Sequence, residues 1–206
     1  MSINTGNNTQ MVKIVTADPS GLGLFGLAMV TLVASSQKLG WTTGLAFVIP
    51  WAVFLGAFAQ LIASFHDFKH NNTFGATAFA AYGLFWLGVA TSWLIKLGAF
   101  GPALAADVDG AQLGIAFIGY FIFTVFMTIG AMETNKVLFI IFFLIDVLFL
   151  GLAADSLGLG HSWHTIAAWA EFSIAIVSFY GSAAATLNTH FGKQFLPVGK
   201  PFGIFK

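Results

Sequence analysis

"VLFIIFFLIDVLFLGLAA", Val137 to Ala154, holds a single charged side chain, Asp146, in 18 consecutive residues. A strand of a membrane barrel needs only about 9–11 residues and alternates apolar with polar positions. This run is longer and does not alternate. As a helix rising about 1.5 Å per residue it covers most of a ~30 Å hydrocarbon core. In lipid the helix also pairs backbone N–H and C=O groups within one segment. Five further apolar runs share these properties: Gly21–Leu39, Thr42–Phe65, Phe74–Leu97, Gln112–Ala131 and Trp163–Leu187. The fold class that follows is an all-α integral membrane protein with six transmembrane helices.

Composition leads to the same class. The 206 residues are 58% hydrophobic and 8% charged, with a mean hydropathy of +0.87. A soluble domain carries about 25% charged residues, and so few charges cannot cover a water-facing surface. The first twenty residues are polar and lack the apolar core of a secretory signal. They read as a tail and helix-start motif (1–20), followed by the six-helix domain (21–190) and a C-terminal tail (191–206). Six crossings put both termini on one side. Lys13, Lys69, Lys136, Lys193, Lys200 and Lys206 fall on that side, and only Lys38 and Lys96 fall opposite. The positive-inside rule then makes both tails cytoplasmic in a multi-pass plasma (inner) membrane protein.

Several chemistries are set aside by residue type. There is no cysteine and no arginine, and the net charge is zero. Thiolate catalysis and disulfides are excluded, and nucleic acid is not the expected partner. No P-loop, GxSxG or HExxH motif is present. The five histidines, His66, His70, His161, His164 and His190, all sit in loops or at helix ends rather than mid-span, where a buried haem would be held. No lysine lies mid-span to hold retinal. No enzyme activity, metal or cofactor is expected.

Two acids lie inside spans. Asp146 is nine residues past Val137, and Glu171 is eight past Trp163. At about 1.5 Å per residue both reach the middle of the bilayer, where a charge costs roughly 3 kcal/mol or more. One reading makes them a proton relay or selectivity element. The other makes each a protonated carboxyl bonded to a Ser, Thr or backbone carbonyl of a neighbouring helix. Small residues recur four apart, as at Ala52/Gly56, Ala59/Ala63, Ala76/Ala80, Gly88/Ser92 and Ser178/Ser182, a spacing that lets helices approach closely.

The third run begins "HNNTFGATAFAAYGLFW", His70 to Trp86. Asn71, Asn72 or Thr73 can cap its first amides. A helix start of this kind attracts anions, and in a transporter it can hold a substrate carboxylate. "DPSGLG", Asp18 to Gly23, offers a second helix start on the same side, with Pro19 near its first turn. Together they outline an anion vestibule. Tyr82 and Trp86 lie on one helix face, and Gln60 sits inside the second run in need of a partner.

Three stretches resemble the acetate uptake transporters, a family that includes succinate–acetate permeases. "ADPSGLGLFGLAM" (17–29) is similar to the family's N-terminal signature, although Asp18 replaces an Asn and Ser20-Gly21 replace an Ala-Pro pair. "NNTFGATAFAAYGLFW" (71–86) is the closest match, and "LNTHFGKQFLPVG" (187–199) resembles the C-terminal segment. The resemblance implies a homohexamer in which every protomer carries its own path for small monocarboxylates. It implies path residues at Gln60, Thr73, Phe74, Gly75, Tyr82 and Trp86. It also implies an apolar constriction at Leu27, Tyr82 and Ile145, where only the Tyr is kept. Asp146 and Glu171 stand outside the family pattern. The expected function is passage of acetate and related small carboxylates, succinate among them, with Gln60 and Tyr82 donating to the anion. The rival readings are a conduit for ammonium or another small solute, and a non-transporting membrane scaffold or sensor.

Overall fold

The computed structural model describes residues 16–205. Residues 1–15 and 206, which include most of the expected N-terminal tail and the lysines Lys13 and Lys206 used for orientation, lie outside the described residues. Among the described residues six helices are long and apolar enough to span a membrane: Ser20–Lys38, Val48–Lys69, Thr73–Lys96, Gly110–Ala131, Lys136–Ser156 and Ser162–Phe191. They are called the first to sixth spans. A short helix, Pro102–Ala106, lies between the third and fourth. No strand occurs among the described residues.

Five spans start within about two residues of the positions expected from hydropathy. The second does not: it begins at Val48 rather than Thr42. Gly40 and Gly44 both adopt positive φ, and Thr42 Oγ1 is 3.0 Å from Ser36 Oγ, which folds this stretch back onto the end of the first span. Pro50 then falls in the first turn of the helix, where its missing N–H is no loss. The same span contains a π-helical stretch, Ala52–Ala59, a rare wide-turn form that is frequent at functional sites.

Sequence neighbours pack side by side, and the sixth span returns to the first, so the six helices form a ring. The first and second spans touch backbone to backbone, since a Cβ at Gly26 would collide with the Leu55 carbonyl. Hydroxyls link helices across the ring: Ser64 Oγ donates to the Ala76 carbonyl (2.7 Å), and Ser182 Oγ donates to that of Gly21 (2.7 Å). The third and fourth spans meet mainly through aromatic rings, Phe85 against Tyr120 (4.9 Å between centroids) and Tyr82 against Phe123 (5.8 Å). Large apolar side chains such as Phe54, Phe58, Ile115 and Phe126 point outward, as lipid-facing surface requires.

Candidate functional site

The spans alternate in direction. The starts of the first, third and fifth and the ends of the second, fourth and sixth therefore share one end of the ring, here the N-terminal face. A cavity of about 580 Å³ opens there. Three helix starts meet at its mouth, and each is capped by its own chain. Asp18 Oδ1 accepts from Ser20 N (2.9 Å), Asn72 Oδ1 from Gly75 N (3.2 Å), and Asn135 Oδ1 from Leu138 N (3.0 Å). Three positive dipole ends thus face one vestibule. The fifth-span start was not anticipated, because Asn135 follows an ordinary loop and nothing local marks it as facing the other two.

Apolar side chains, among them Leu24, Phe79, Ile141 and Phe142, form the walls. Among the innermost lining side chains are Leu27, Gln60, Tyr82 and Ile145. Each lies seven to nine residues from the N-terminal face along its helix, or roughly 10–14 Å. Past them, the buried Val30, Trp86 and Phe149 fill the interior. Of the residues singled out in sequence, Asp18, Asn72, Phe74 and Gly75 line the cavity with these four. Pro19 is buried, and its carbonyl accepts from Leu22 and Gly23 N. Thr73 is exposed outside the cavity, and Trp86 packs beyond its deep end, close against Gly56 and Phe85.

The hydrogen atoms at the deep end can be followed. Thr124 Oγ1 donates its one hydrogen to the Tyr120 carbonyl (2.7 Å). Tyr82 must therefore be the donor in its 2.9 Å bond to Thr124 Oγ1. The hydroxyl expected to serve an anion is spent on the fourth span, and Tyr82 shows the cavity its ring and lone pairs. Gln60 Nε2 donates to the Gly56 carbonyl (2.6 Å) within the π-helical stretch. That bond uses one of two amide hydrogens, so the remaining Gln60 N–H is the donor left for a guest.

The two mid-span acids are apart and differ in kind. Glu171 does not bond a Ser, Thr or backbone carbonyl. Its Oε2 takes the Lys38 ammonium at 2.8 Å, with the glutamate side chain 2% and the lysine 14% exposed. Lys38, expected on the side opposite the N-terminus, ends the first span and turns its amine back into the bundle, because an unpaired carboxylate there costs more than the buried stem of a lysine. His164 sits beside this pair, 3.0 Å from Asp155 and 3.3 Å from the Lys38 carbonyl. Asp146 Oδ2 accepts from Thr128 Oγ1 at 2.6 Å, while its Oδ1 has no partner.

Asp67 escaped the sequence reading. It is 2% exposed, lines the vestibule, and has an unpartnered Oδ2. The stretch around it, "SFHDFKHNN", reads as an ordinary polar helix end, and only the folded chain turns this residue inward. The C-terminal tail also reaches the mouth. Asn188 accepts from Phe195 N and Leu196 N (2.7 and 2.8 Å), Phe202 N donates to the Met132 carbonyl (2.8 Å), and Val198 lines the cavity.

Similar proteins fit this geometry. The succinate-acetate/proton symporter SatP of Escherichia coli K12 is 32% identical over 186 residues, 89% of this chain and 96% of that protein. A solved structure described as the bacterial acetate channel SatP superposes with a TM-score of 0.83 at 30% identity, covering 90% of this chain and all of that one. Ammonia transport outward protein 2 of Saccharomyces cerevisiae is 33% identical over 137 residues, 65% of this chain and 49% of that protein. The match to the GPR1/FUN34/yaaH family runs over residues 2–198, and the chain belongs to that family.

Proposed function

We propose that the protein conducts acetate and related small carboxylates, succinate among them, through each protomer. The observation that carries this reading is a cavity with three helix starts at its mouth and an apolar ring at its deep end beside one free amide donor. Helix dipoles draw the anion in. At 580 Å³ the vestibule is roomy for so small a guest, so selection falls to Leu27, Tyr82 and Ile145. A carboxylate entering that ring sheds water at a cost of several kcal/mol unless a donor replaces it, and the Gln60 N–H is that donor. Leu27 stands where the resemblance implies an aromatic on the first helix and leaves more width than one would, which favours larger acids.

The protein is a transporter or channel rather than an enzyme. It sits in the cell membrane with the N-terminal face, and so both termini, toward the cytoplasm, as the distribution of lysines supports. Protomers assemble as a homohexamer in the bilayer, each with its own path. The relatives described as a proton symporter and as a channel leave room for proton-linked passage.

A second reading, passage of ammonium, is favoured by Asp18 and Asp67 at the mouth and by the ammonia-transport relative. Competition in proteoliposomes separates the two. Under the carboxylate reading, propionate and formate reduce labelled acetate flux and ammonium does not. Flux of ammonium unaffected by acetate, with no acetate flux above protein-free vesicles, would reverse the assignment.

A further inference from the structure

Asp67 stands two residues before the end of the second span, almost wholly buried, lining the vestibule and with its Oδ2 unpartnered. Its carboxylate lies so close to the first turn of the third span that a Cβ at position 75 would collide with Oδ2. Only glycine leaves room for it. The groups that face Asp67 are the Asn72 cap, His70 just past the end of its own helix, and Asp18, a like charge, ahead of the first span. His70 is itself hydrogen-bonded to Thr16.

The start of the third span is one of the seats that the carboxylate-path reading gives to an incoming anion. A carboxylate belonging to the chain already occupies it. Two negative charges in one partly dry seat repel strongly, so the seat holds one charge at a time. Among the described residues no salt bridge reaches Asp67, and His70 is the one neighbour able to carry a positive charge. The charge that can be removed without moving the helix is that of Asp67, by a proton.

We propose that Asp67 is the proton-linked gate of the vestibule: ionised it keeps the seat, and with a proton on Oδ2 it yields the seat to a substrate carboxylate. The inference rests on the carboxylate-path reading above. One proton passes from the water of the N-terminal face to Oδ2 as each anion is seated, and it returns to water when the anion leaves and Asp67 ionises again.

The test is calorimetry of sodium acetate binding to the purified full-length protein, in two buffers of different ionisation enthalpy near neutral pH. The wild type is expected to take up close to one proton per acetate, with affinity falling about tenfold per pH unit above neutrality. Asp67→Asn is expected to bind acetate with no proton uptake and no such pH dependence, while Asp67→Glu retains both. If Asp67→Asn does not purify as a folded protein, Asp67→Ser is held to the same expectation. Equal proton uptake in wild type and neutral variant, or acetate binding by the wild type with no proton taken up, overturns the gate. A wild type that binds no acetate at any pH overturns the carboxylate path itself, and is told apart by that absence of binding.

Discussion

Glu171 and Asp67 are equally buried acids in opposite halves of one bundle, and their surroundings assign them different work. Glu171 has a lysine at 2.8 Å. Asp67 has a helix start, a neighbouring like charge and an oxygen with no partner. A buried pair is a closed arrangement, costly to break and of no use to a passing ion. A buried acid without a cation changes state when a proton or an anion arrives. Asp146 is intermediate, with one oxygen held by Thr128 and the other free. Burial alone therefore does not single out a functional acid; the partner does.

The contrast is broken most strongly at the paired acid. Lys38→Met leaves Glu171 uncompensated and is expected to cost about 3 kcal/mol, read as a fall in the thermal midpoint in detergent. Lys38→Met with Glu171→Leu should regain most of that loss, since an apolar pair fits an apolar site. Proton uptake on acetate binding should be unchanged in the double variant. A single variant as stable as the wild type would show that the pair is not the closed arrangement described.

Asp67→Asn should show the reverse pattern, losing the pH dependence of acetate binding while its midpoint stays within about 1 kcal/mol of wild type. Stability loss on the scale of Lys38→Met would place Asp67 among the structural acids. Thr128→Val sharpens the middle case. It removes one interhelical bond and should cost about 1 kcal/mol, and Asp146→Asn should leave the pH dependence of flux as it was. A changed pH dependence in Asp146→Asn would bring that residue into the path.

How far the sequence foretold this arrangement depends on the range of the interaction. The six spans, the Asn72 cap and the Asp18 turn are set by residues within one helical turn of each other, and they could be read directly. The depth of Leu27, Gln60, Tyr82 and Ile145 follows from counting along helices once the spans are known. The Lys38–Glu171 pair joins residues 133 apart, and no local signal draws a lysine at a helix end back into the bundle. Asp67 can turn inward because Gly75, in the first turn of the third span, leaves room for the helix to close on the carboxylate. The hydrogen spent by Tyr82 depends on Thr124 being committed to Tyr120, two steps removed from any motif.

The central claim is that a carboxylate sits at the deep end of the vestibule with the free Gln60 amide hydrogen as its donor. A structure determined at saturating acetate tests it most directly. The account predicts carboxylate density within hydrogen-bonding distance, about 2.7–3.2 Å, of Gln60 Nε2, with the methyl group toward Leu27 and Ile145. A vestibule holding only water at saturating acetate, or acetate bound away from Gln60, would contradict it.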